Sequence, residues 1–140
     1  MKIMVCGSMF FAKKMNAIKS KLEKLGHKVV LPCDVDKHLE DSTFSDNLEE
    51  DTKYCIEHDV IRKCFKTLAQ SDAILILNYP KNGIEGYIGT AGLMEIGIAY
   101  HLGKKIFILN QVPSPSKARW AHEVHIMQPV ILNNDLSKIK

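Results

Sequence analysis

Residues 78–105 read N-Y-P-K-N-G-I-E-G-Y-I-G-T-A-G-L-M-E-I-G-I-A-Y-H-L-G-K-K, and the apolar run Ala73–Leu77 leads into them. A buried strand, a loop carrying Gly83, Gly86, Gly89 and Gly92, and an apolar helical pattern succeed one another in that order. Glycine at this density admits positive φ and close approach of a ligand to the main chain, and the free N–H groups of a helix start attract oxygen-rich ligands. Asn78 at the strand end, Gly86, Gly89 and Thr90 are therefore candidate ligand contacts. Glu95 falls in the first turns of the helix among Leu93, Ile96, Ile98 and Ala99, so much of that helix is expected to be buried. A carboxylate there either complements the helix dipole or turns to solvent, or it does chemistry. The pattern leaves both open.

Working outward, Lys2–Cys6 is a mostly apolar run of the kind expected when a strand is covered on both faces. Gly7-Ser8 breaks it, and Met15, Ile18, Leu22 and Leu25 mark a helix that Gly26 ends. His27–Leu31 is a second strand, stopped by Pro32. Asp34 to Asp51 carries eight acidic residues against one lysine, Lys37, and reads as a loop until about Leu48. A connection of that length suggests a flap over a site. A helix is then expected to about Ser71, with Ile61, Cys64, Phe65 and Leu68 on one face. Lys104–Leu109 gives a fourth strand, Trp120–Met127 a short helix and Pro129–Leu132 a fifth strand.

Strands alternating with helices imply one α/β domain over residues 1–140. The expected form is a doubly wound, flavodoxin- or Rossmann-like five-stranded parallel sheet in the order 2-1-3-4-5, in three α/β/α layers. Ligands of such sheets bind beyond the carboxyl ends of the strands where the order switches. That brings the Gly7-Ser8 turn beside the loop from Asn78 to Thr90, with Glu95 adjacent.

Composition narrows the partners. The chain has 140 residues, 46% of them hydrophobic, enough for a full core without staples. Its four cysteines lie far apart without a C-x-x-C pair, and no signal-like start is present, which reads as reduced thiols and a cytoplasmic protein. No apolar run approaches the roughly 20 residues of a membrane span. The formal charge of +3 comes from dispersed lysines, which suits a small anionic ligand better than a nucleic acid polymer.

Several chemistries are excluded by what the chain lacks. There is no G-x-G-x-x-G after the first strand, no Walker lysine-serine pattern and no G-x-S-x-G elbow. Asp34-x-Asp36 fails as a calcium loop because the sixth position is Leu39 and the closing glutamate is missing. Cys55 with His58, and His122 with His125, are spaced for one helix face, but neither pair has an obvious third and fourth ligand. No metal and no cofactor are expected.

Three stretches together resemble the nucleoside 2-deoxyribosyltransferase family and its 2′-deoxynucleoside 5′-phosphate N-hydrolase relatives. They are Val5-Cys6-Gly7-Ser8, the strand Ser71-Asp72-Ala73-Ile74-Leu75-Ile76-Leu77-Asn78, and Gly89-x-x-x-x-Met94-Glu95-Ile96-Gly97-x-Ala99 followed by Gly103-Lys104. The resemblance implies that Glu95 is a nucleophile at the N-glycosidic bond of a nucleoside or nucleotide. Such a carboxylate attacks the anomeric carbon as the base departs through an oxocarbenium-like transition state. The alternative is a nucleotide-binding or sensing module of the same fold without turnover. Three departures from the family pattern stand out. The family's helix aspartate falls at Cys64, its first-strand tyrosine at Met4, and its serine near the glycine loop at Gly89. Glu57 and Asp59 are the nearest replacement acids, and Gly7, Ser8 and the Gly86–Gly92 backbone the replacement ligand contacts. A homodimer is also implied, and Phe65, Tyr100, Trp120 and Met127 exceed what the core obviously needs. Arg119 or His122 would then reach an anionic group on the partner's ligand.

Overall fold

The computed structural model describes residues 1–140. Its centre is a sheet of five parallel strands: β1 (Lys2–Gly7), β2 (Lys28–Val30), β3 (Ala73–Leu77), β4 (Lys105–Ile108) and β5 (Val130–Ile131). They lie in the order β2-β1-β3-β4-β5, as the doubly wound reading requires. Helices α1 (Ala12–Lys24), α4 (Val60–Ala69), α5 (Thr90–His101) and α6 (Ala121–Ile126) cover the faces.

Side chains alternate across a strand, so the sheet divides its apolar residues between two cores. Ile3, Val5, Ala73, Leu75, Leu77 and Phe107 pack with Met15, Ile18 and Leu22 of α1. Met4, Cys6, Ile74, Ile76, Ile106 and Ile108 face the other way, against Cys64 and Leu68 of α4, Ile96 and Ala99 of α5, and Val124 of α6. This parity decides the site: Cys6, the last side chain before Gly7, points toward α4 and α5.

Two expectations are corrected. The acidic stretch is not a loop up to Leu48: it forms α2 (Val35–Glu40) and a 3₁₀ turn at Phe44–Asp46, after which α3 (Leu48–Glu57) begins where a helix was expected. Buried Val35, His38 and Phe44 anchor the first two of these elements. Two buried apolar side chains, Val35 and Phe44, in so acidic a segment are too few for an apolar period to show in the sequence. Nor does a single helix run to Ser71. Asp59 sits in the left-handed region at φ 49°, which breaks α3 from α4, and its carboxylate accepts a hydrogen bond from Arg62 Nε at 3.0 Å.

Candidate active site

At the carboxyl end of β1 the chain enters Gly7-Ser8, and the N-terminal half of α5 packs alongside. The space between them is a cavity of about 290 Å³, closed on its far side by residues of α2, α3 and α4. Glu95, Gly7, Ser8 and Cys64 line it, as do Asp34, His38, Asp51, Cys55 and Lys81.

Glu95 is only 7% exposed. It is the sixth residue of α5, beyond the first turn where the helix dipole acts, so neither solvent nor the dipole accounts for it. Burial pushes its pKa up to about 7; a hydrogen bond from the Cys6 thiol partly opposes this, and the charge of Asp34 adds to it. Cys6 in turn is pushed well above the ordinary thiol range, first by complete burial and then by Glu95. The thiol therefore stays neutral beside the carboxylate and donates to the Met4 carbonyl at 3.8 Å.

Lys81 enters through a turn of specific chemistry. Asn82 and Gly83 both have positive φ, 53° and 72°, and Lys81 and Ile84 exchange backbone hydrogen bonds of 3.1 and 3.0 Å. An Asn-Gly pair is the standard solution for such a tight turn. It aims the Lys81 ammonium into the cavity, where Nζ donates to Ser8 Oγ at 2.9 Å. Cation and hydroxyl together can hold an anionic ligand group.

The other residues singled out from the sequence are placed elsewhere. Asn78 is fully buried, but its side-chain amide donates to the carbonyls of Asn110 at 2.9 Å and Gln111 at 3.3 Å and accepts from the Asn110 amide at 2.8 Å. It ties the end of β3 to the end of β4 and does not line the cavity. Gly86, at φ 71°, lies so close to the next loop that a Cβ would meet the Gln111 carbonyl oxygen at 2.1 Å. Its lack of a side chain serves packing of the chain against itself. Gly89 precedes α5 and Thr90 begins it, exposed and outside the cavity lining. Glu57 and Asp59 are exposed and also outside it. Cys64 does line the cavity, with burial pushing its thiol up to about 12. Arg119 pairs with Glu123 at 3.5 Å on the surface, and His122 is exposed beside it. Phe65 also lines the cavity, half-buried, while Trp120 and Met127 pack partly against the core and Tyr100 is exposed.

The residues that sequence reasoning missed are Asp34, His38, Asp51 and Lys81. Asp34 and His38 are buried, at 6% and 5% exposure. Burial raises the Asp34 carboxyl above its usual range; a backbone hydrogen bond and then His38 pull it down, while Asp51 raises it. The available signals were Asp34-x-x-x-His38, Asp51-x-x-x-Cys55 and the Asn82-Gly83 turn.

A family model described as nucleoside 2-deoxyribosyltransferase matches residues 3–129. The chain belongs to this family. The match runs from β1 through α6 and takes in the whole cavity wall, and the family's chemistry is deoxyribosyl transfer from nucleosides or cleavage of their N-glycosidic bond. No curated protein sequence matches the chain. No helix is long and apolar enough to cross a membrane.

Proposed function

We propose that the chain cleaves the N-glycosidic bond of a deoxynucleoside 5′-monophosphate or deoxynucleoside, hydrolysis leading over transfer, with Glu95 as nucleophile. The observation that carries this is a buried carboxylate, its pKa pushed up to about 7 by burial, at the switch point of a sheet of this family. Such a group is desolvated enough to be nucleophilic and ionised enough to act at neutral pH. Glu95 bonds to C1′ as the C1′–N bond breaks. The bond's electron pair leaves with the base, which takes a proton from water. Water then attacks C1′, releases the sugar and restores the carboxylate.

The Lys81–Ser8 pair favours the phosphorylated substrate, because an ammonium and a hydroxyl in contact match a 5′-phosphate. A cavity of about 290 Å³ lies at the lower end of ligand pockets and suits one nucleotide. The test is a panel of deoxynucleosides and their monophosphates incubated with wild type and Glu95→Gln, with released base read by chromatography. Wild type should release base, and the variant should lose roughly 10³-fold or more of that rate. Equal release from both, or none from either, would count against the reading.

The second reading, a nucleotide-binding module without turnover, draws on Cys64. A thiol pushed to about 12 occupies the position of the family's aspartate and does not serve as an acid at neutral pH. Thermal stabilisation by a nucleotide without product would favour it; product formation would eliminate it.

A further inference from the structure

Helices α2 and α3 each present a pair of metal-ligating side chains four residues apart, which places each pair on one helix face. His38 follows Asp34, and Cys55 follows Asp51. The two faces meet at the cavity wall. His38 Nε2 lies 3.5 Å from Asp34 Oδ2 and 3.7 Å from Asp51 Oδ1, and Cys55 Sγ lies 3.7 Å from Asp51 Oδ1. Ligand atoms of Asp34, Asp51 and Cys55 all fall within 4.8 Å of one another.

The two His38 spacings are too long for charge-assisted hydrogen bonds, which run at about 2.7–2.9 Å, and the Cys55 thiol makes only a long hydrogen bond to Asp51; all three spacings suit a coordination shell. A tetrahedral ion with bonds of about 2.0–2.3 Å separates its ligands by about 3.3–3.8 Å. The second observation is the histidine itself. Its side chain is 3% exposed and its ring is packed edge-to-face against Phe44, yet neither ring nitrogen has a hydrogen-bond partner. A buried imidazole without a partner is costly, and this one points a nitrogen between two carboxylates. An imidazolium between them would balance their charge, but it would draw in to hydrogen-bond distance, which neither carboxylate reaches.

We propose that Asp34, His38, Asp51 and Cys55 form a zinc site on the wall of the Glu95 cavity. Imidazole, thiolate and carboxylate together select a borderline ion such as zinc over magnesium or calcium. Binding displaces the Cys55 proton to solvent and joins α2 to α3 through the ion. The acidic segment that walls the cavity is thereby held by four ligands from two short helices. The site is independent of whether Glu95 is a nucleophile, and its readout is metal binding.

The full-length chain, stripped with EDTA, would be titrated with Zn²⁺ against a chromophoric chelator and, separately, with Co²⁺. One equivalent of each should bind, with a thiolate-to-cobalt charge-transfer band in the near ultraviolet. Cys55→Ser should lose that band, and both Cys55→Ser and His38→Gln should weaken zinc by at least about tenfold, since even the loss of an outer-shell partner costs 10–100-fold. Cys33→Ser should retain both band and affinity, although Cys33 lies near Asp34 and Cys64. Circular dichroism of each metal-free variant checks the fold. Asp51→Asn, at a half-buried side chain, replaces any variant that unfolds and should weaken zinc likewise. No stoichiometric binding by the wild type would overturn the proposal. So would a cobalt band that survives Cys55→Ser and disappears in Cys33→Ser.

Discussion

Replacing Glu95 by glutamine should make the protein more stable at pH 8 and leave that advantage absent near pH 4.5. The folded-state pKa of about 7 lies above the ordinary 4.5, so between those values the native state holds a proton that the unfolded chain has lost. Stability of the wild type therefore falls as pH rises through this window and levels off above about 7. At 1.36 kcal/mol per decade the whole effect is roughly 3 kcal/mol. Glutamine keeps the shape and carries no charge, so the variant lacks this slope. Its amide leaves one more buried donor to satisfy, which costs about 1–2 kcal/mol at every pH. The variant-minus-wild-type difference should thus start slightly negative at low pH and rise by about 3 kcal/mol by pH 8. Urea denaturation of both proteins from pH 4.5 to 8, in EDTA, measures it. A difference that stays flat over that range would refute the claim that the native fold holds Glu95 partly protonated. That would remove the physical basis for its role.

Three other outcomes are expected from the site and its surroundings. Lys81→Ala should raise KM for 5′-monophosphates by about 10–100-fold while changing unphosphorylated nucleosides little, the size expected for a charge-assisted contact; equal losses would remove the phosphate contact. Ile61 and Met94 line the cavity and are 52% and 40% exposed, so a homodimer across the α4–α5 face would cover the cavity rim. Light scattering should give twice the chain mass, and Ile61→Lys should give a monomer; a wild-type monomer at micromolar concentration would refute the dimer. Limited proteolysis should cut the acidic segment near the exposed residues 40–43, and a nucleotide should suppress the cut if this segment closes on the ligand; equal resistance with and without nucleotide would argue against closure.

The sheet was legible because a strand covered on both faces leaves a continuous apolar run, as in Ala73–Leu77, and because Gly or Pro punctuates the chain between elements. Glu95 was legible for the converse reason, as a lone carboxylate in an apolar helix. The features that escaped depend on distant partners. Asn78 looks like a ligand contact at a strand end, yet its partners Asn110 and Gln111 lie 32 and 33 residues away. The lack of a side chain at Gly86 answers to the Gln111 carbonyl. The acidic segment hid α2 because its i, i+4 pair is polar, and an apolar period is what a sequence scan detects. Asp34 was thereby read as loop charge, while His38 owes its burial to packing against Phe44.

The most direct measurement is mass spectrometry of wild type and Glu95→Gln quenched during turnover of a deoxynucleoside 5′-monophosphate. A nucleophilic Glu95 predicts a deoxyribose-5-phosphate adduct on the wild-type peptide that contains it, no adduct on the variant, and base release that disappears with the adduct. Base release from Glu95→Gln at the wild-type rate, with no adduct at Glu95 in the wild type, would contradict it.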